Sequence, residues 1–175
     1  MATRRQAREW ALQLLVQQDL NPSPQLDEVL ESFWQQLREI ERERYEDDDR
    51  IELVLNFESQ DTVKAQAFAE AKEFAEERMR GVLQQLDDLD SKIEARLRNW
   101  SLYRLGTVER NVLRLGFWEL ENCPEIPQPI VINEYVDLAK FFSATKSGRF
   151  VNGLLDSYAR SLREKPAADK EEFNP

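Results

Sequence analysis

The chain has 175 residues, 33% of them charged, a net charge of −10 and only five glycines; that size bounds one domain with a real core, and the composition favours helix over sheet. A lone cysteine, Cys123, excludes an intramolecular disulfide framework and a Cys-rich zinc site, and the lack of any histidine removes Ser-His-Asp and Cys-His catalysis and the commonest metal ligand. There is no run of about 18 apolar residues to span a membrane, and no signal-type apolar core follows MATRRQAREW, so the expectation is a cytoplasmic protein that binds rather than catalyses, with no cofactor.

The first predicted element runs from Arg4 to about Gln18, where Ala7, Trp10, Ala11, Leu14 and Leu15 repeat at helical spacing. Arg4 and Arg8 lie one turn apart on the edge of that stripe, with Arg5 further round. Asn21-Pro22-Ser23-Pro24 is a loop. A second helix is predicted over Leu26–Arg44, with the stripe Leu26, Leu30, Phe33, Trp34, Leu37 and Ile40. Tyr45–Gln60 reads as a mobile acidic loop followed by a packed apolar segment, Ile51–Phe57; its three consecutive aspartates lack the spacing of a calcium loop. Asp61 caps a long predicted helix from Thr62 to about Arg98, with Gly81 and Asp90-Ser91 as the places to kink or break. Ser101 is a cap for a short turn.

Thr107–Leu120, TVERNVLRLGFWEL, is different in kind. Its apolar side chains form no single stripe, and only Arg110 and Arg114 make a polar edge. A helix apolar nearly all round belongs inside a bundle. Thr107 is the expected N-cap, Cys123-Pro124 the stop, and Gly116 the point of a close helix–helix approach. Pro124, Pro127 and Pro129 then predict an extended connector. Ile130–Phe142 is a clean amphipathic helix, Ser143–Ser147 a turn, and the last helix carries the stripe Phe150, Val151, Leu154, Leu155, Tyr158 and Leu162. About seven helices and no strand predict an all-α compact bundle, one domain over residues 1–163 with 164–175 as a disordered tail.

Global charge argues against a nucleic-acid partner, since phosphate needs positive surface. The charge is uneven, however: thirteen acids face four arginines between Asp27 and Asp61, whereas five basic residues face two acids between Ser143 and Lys165. A basic patch on an acidic body follows from that asymmetry. There is no P-loop, GxGxxG, GxSxG or fixed-period repeat.

Three fragments carry more specific information: RLGTVERNVLRLGFWEL, IVINEYVDLAKFF and SGRFVNGLLD, in order and correctly spaced, with RRQAREWALQLL at the other end. Together they resemble the NusB family of bacterial transcription antitermination factors, most strongly over Asn99–Leu120 and Ile130–Asp156 and least between Pro22 and Arg98. The resemblance implies an all-helical fold without catalytic activity or cofactor. It implies binding to the single-stranded boxA element of ribosomal-RNA transcripts together with NusE, the small-subunit ribosomal protein, within an RNA polymerase antitermination complex. Carried over residue by residue, the implied RNA surface comprises Arg4, Arg5 and Arg8, and Lys146, Ser147, Arg149 and Phe150.

The chemistry suits that role: arginine forks onto phosphate, and an aromatic stacks on an unpaired base. Gly148 removes bulk where a backbone would approach. Each residue also has an ordinary role: the arginines as a solvated helix start, Ser147 as a cap, Phe150 as core unless its ring edge is exposed, and Asn152-Gly153 as packing.

Gln6 and Val16 depart from the family's usual arginine and aromatic, and the middle is unusually acidic. The chain alone is therefore expected to bind RNA weakly and in a salt-sensitive manner. Two other readings differ in class: a NusB-like protein-interaction module without specific RNA binding, and a fragment of a methyltransferase with a NusB-like N-terminal domain. The second needs a long catalytic domain after Pro175 and a nucleophile–base set, which the chain lacks. Homodimerisation stays open, with Ile51–Phe57 as a candidate patch.

Overall fold

The computed structural model describes residues 3–45, 62–97, 101–143 and 147–164, with backbone only for 41–45, 62 and 64. The acidic loop and apolar segment of residues 46–60, the Asp61 cap, Asn99-Trp100, Lys146 and the tail from 165 lie outside the described residues. The described residues form seven α-helices and one short 3-10 turn, with no strand among them. The chain divides into two compact units, 1–86 and 87–175.

In the first unit, α1 (Arg4–Leu20) starts because the Thr3 side chain accepts the Gln6 N–H at 3.2 Å, satisfying one orphan donor of the first turn. It buries Ala7, Trp10, Ala11, Leu14 and Leu15 as its periodicity predicts, and packs on α3. Helix α2 (Leu26–Tyr45) buries Leu30, Phe33 and Trp34. Leu37 is half-buried and Ile40, expected in the stripe, is 60% exposed, so the packing fades along the helix. Trp10, Trp34 and Phe68 meet edge to face, with centroids 5.4 and 5.5 Å from Trp10. The Trp34 indole N–H donates to Glu76 at 2.7 Å, so its burial leaves no polar group wanting.

The long helix predicted from Thr62 is two helices. Helix α3 (Thr62–Gln84) ends where the Gln85 N–H bonds back three residues to Val82, and α4 (Leu86–Glu94) follows. Neither Gly81, which is buried in the helix, nor Asp90-Ser91 is the break. Asp87 and Asp88 in the first turn of α4, and Lys92 in its last, fit the dipole of a separate helix.

In the second unit, a 3-10 turn (Leu102–Arg104) leads into α5 (Thr107–Asn122), followed by α6 (Gln128–Phe142) and α7 (Ser147–Glu164). Ser101 is the N-cap residue of the turn, but its hydroxyl makes no cap bond and points to Glu94. Gly106, not Thr107, is the N-cap of α5. Helix α6 begins two residues earlier than predicted because Pro129 sits in its first turn, where its missing N–H costs nothing. The three helices pack pairwise on one another.

All ten residues from Asn111 to Leu120 are buried, as expected of a helix apolar nearly all round. Arg114, expected with Arg110 as the polar edge of this helix, does not face outward. It is buried and grips Asp90 of α4 with two bonds of 2.7 Å, through Nε and one terminal nitrogen, while its other terminal nitrogen donates to Asn111 at 3.1 Å. A buried guanidinium needs such a bidentate partner to offset its desolvation. Around the far end of α5, the Glu121 carboxylate takes Lys92 at 2.8 Å and the Tyr158 hydroxyl, and Phe117 stacks on Tyr158 at 3.9 Å.

At Gly116, α5 lies close against α6 and α7. A Cβ there would stand 2.6 Å from Leu155 Cδ2 and 3.4 Å from Tyr135 Cδ2, and both side chains are fully buried. Two substitutions should therefore destabilise for opposite reasons. Gly116→Val overpacks the approach and should cost about 1–3 kcal/mol. Leu115→Ala leaves a cavity and should cost about 2–5 kcal/mol. Urea unfolding followed by circular dichroism measures both.

Candidate nucleic-acid interface

The first unit supplies three of the residues assigned to RNA. Arg4 and Arg5 are exposed at the start of α1. Arg8, one turn on, is only 3% exposed, and faces the ring of Phe74 on α3. The guanidinium carbons of Arg4 and Arg8 each lie 5.2 Å from that ring's centroid, and that of Arg78 lies 3.0 Å from it. Three cations thus converge on one quadrupole, an arrangement that holds arginine side chains against a ring face. Arg78 donates to the Phe74 carbonyl at 3.2 Å and to Glu77 at 3.1 Å. The sequence reading passed over Arg78; its place four residues after Phe74, on one helix face, was the available signal. Arg5 points elsewhere, 3.9 Å from Glu9, in an exposed pair worth at most about 1 kcal/mol.

The second unit supplies the others. Ser147 is the first residue of α7, and Arg149 and Phe150 follow in its first turn. Arg149 is exposed. Phe150 is 38% exposed, so its ring opens the buried stripe and still presents an edge outward. Gly148 is buried, and a Cβ on it would come within 2.6 Å of Lys140 Cγ. Its small size makes room for the lysine stem of α6. Asn152 and Gly153 are both exposed, and a Cβ at Gly153 would meet nothing within 4 Å, so packing does not account for this pair.

Ser147 is engaged by a residue the sequence reading did not single out. Glu109, in the first turn of α5, accepts the Ser147 hydroxyl at 2.7 Å and the Ser143 hydroxyl on the same oxygen. Burial raises the pKa of the Glu109 carboxyl, but the two hydroxyls and a backbone N–H outweigh it, and the net value falls below the ordinary 4.5.

Among the described residues there is no cluster of three or more potential metal ligands, and no helix is long and apolar enough to cross a membrane.

The sequence model of the NusB family matches residues 5–160, which span both units. The chain belongs to the NusB family. It is 38% identical to the transcription antitermination protein NusB of Myxococcus xanthus over 164 residues, covering 94% of this chain and 99% of that one. Its fold is similar to that of NusB from T. maritima, with a TM-score of 0.68 and 30% identity over 91% of this chain and 92% of that one. It is also similar to a chain in a crystal structure of the antitermination factors NusB and NusE in complex with double-stranded RNA. That likeness has a TM-score of 0.63 and 30% identity, covering 90% of this chain and 96% of the other. NusB proteins are transcription antitermination factors and not enzymes.

Because the Glu109 pKa is lower in the folded chain than in the unfolded one, its contribution to stability is full above pH 4.5 and is lost as pH falls through the folded value. Thermal melts across pH 3–7 should therefore show the stability gap between the wild type and Glu109→Gln closing below about pH 4.5.

Proposed function

We propose that this chain acts in transcription antitermination by binding boxA-type RNA of ribosomal-RNA transcripts together with NusE, as part of an RNA polymerase antitermination complex in the cytoplasm. The observation that carries this reading is family membership along nearly the whole chain, joined to likeness with a NusB solved together with NusE and RNA. Residues 1–163 serve as one functional domain, because the family match spans both units.

Arg4, Arg5 and Arg8 on α1, and Lys146, Ser147, Arg149 and Phe150 at the α7 start, are the proposed RNA contacts. Exposed Arg4, Arg5 and Arg149 suit phosphate, and the open edge of Phe150 suits an unpaired base. Arg8 contributes through the Phe74 cluster that orients Arg4 beside it. The −10 net charge favours weak binding by the chain alone, with NusE supplying further affinity.

Fluorescence anisotropy with labelled boxA RNA and a scrambled control, with and without NusE at two salt concentrations, tests the reading. The expected result is a preference for boxA that NusE strengthens and salt weakens. Equal weak binding to both RNAs, unchanged by NusE, would leave a NusB-like protein-interaction module. Arg149→Ala and Arg4→Ala should each weaken RNA binding and lower the salt slope by about one while leaving the melting temperature nearly unchanged. Arg8→Ala should lower the melting temperature as well, because that side chain is packed.

A further inference from the structure

Glu109 joins the ends of three helices through one oxygen. It lies in the first turn of α5; Ser143 is the C-cap of α6, and Ser147 opens α7. Oε1 of Glu109 takes both hydroxyl protons, and the two serine oxygens stand 3.2 Å apart. The other carboxylate oxygen folds back over the N-cap, where a Cβ on Gly106 would lie 2.3 Å from it. The last turn of α6 is also seated against the first turn of α7, through the Lys140 stem over Gly148.

This arrangement limits what Ser147 can do. A serine hydroxyl has one proton to donate, and here Glu109 receives it. Toward a phosphate oxygen Ser147 would present lone pairs only, and the carboxylate behind it has the wrong sign for a phosphate contact of its own. The contribution of Glu109 to RNA binding therefore has to be indirect.

We propose that Glu109 is a positioning residue for RNA recognition: by clamping Ser143 and Ser147 it fixes the start of α7, so that Arg149 and Phe150 meet RNA already in place. Direct phosphate contact falls to Arg149, and Ser147 borders the RNA without donating its hydroxyl to it. The inference rests on the RNA-binding reading above. Ordering these side chains in advance removes an entropic cost from association.

The test is boxA RNA affinity of the full chain, with melting curves to confirm that each variant is folded at the assay temperature. Glu109→Ala should weaken binding about ten-fold, the scale of a few side chains left to be ordered on binding. Glu109→Gln retains an acceptor oxygen and should restore most of the loss. Glu109→Asp retains the charge and the helix-start preference but falls short of the serines, so it should also bind weakly. Amide hydrogen exchange at residues 148–151 should quicken in the Ala and Asp variants and not in Gln. Folded Ala or Asp variants that bind as tightly as the wild type, or more tightly, would overturn the proposal. If Ala does not fold, Asp decides. A wild-type chain that does not bind RNA overturns both readings, whereas RNA binding insensitive to Glu109 overturns only this one.

Discussion

Ten consecutive buried residues on α5 impose one demand on the second unit: the polar groups among them must find partners without water. The Arg114–Asp90 fork answers the largest of these. Asn111 accepts from Arg114 and gives its own amide hydrogen to the Thr107 carbonyl at 2.9 Å, and Glu119 receives the Tyr135 hydroxyl at 2.6 Å. These bonds tie α4 and α6 to particular turns of α5, and so set register as well as contact. An apolar helix of the same length could slide; one whose Asn111, Arg114 and Glu119 must each meet a partner is held in register.

At the two ends of α5 a carboxylate does similar work in different company. Glu121 gathers Lys92 and Tyr158, and Glu109 gathers Ser143 and Ser147. Burial by itself would lower the Lys92 pKa, but the Asp88 and Glu121 carboxylates reverse the shift and keep the ammonium charged. The Tyr158 hydroxyl is driven upward by burial and by Glu121, so it stays protonated and remains a donor. The first of these ends is a structural rivet. The second stands beside the residues proposed to meet RNA, which is why the same chemistry takes on a functional reading there.

Cations in this acidic chain are sorted by what lies under them. Arg78 and Arg8 are packed around Phe74, and Arg114 is spent inside the second unit. Arg4, Arg5 and Arg149 keep their charge outward. A count of basic residues along the sequence treats all six alike, yet only the outward ones add positive potential at the surface where a phosphate backbone would approach.

Sequence alone determined the helical class, the burial of the apolar side chains between Val112 and Leu120, most helix faces and the family, because periodicity and long ordered fragments are local properties of the chain. It located Ser147, Arg149 and Phe150 by resemblance, and Gly116 as a close approach by its place in mid-helix. What it could not contain were choices made between distant segments. Arg114 and Arg110 have the same spacing, and only the arrival of Asp90 from α4 makes Arg114 a buried ion. Thr62–Arg98 keeps helical phase almost throughout, yet the helix breaks at Gln85, where no glycine or proline marks the place. Ile40 continues the stripe of α2 yet is 60% exposed. Glu109 reads as an ordinary first-turn acid until folding delivers two serines, 34 and 38 residues away, to one of its oxygens. Local pattern decides which face of a helix is apolar; which polar side chain is buried, and against what, depends on long-range packing that no window of the sequence encodes.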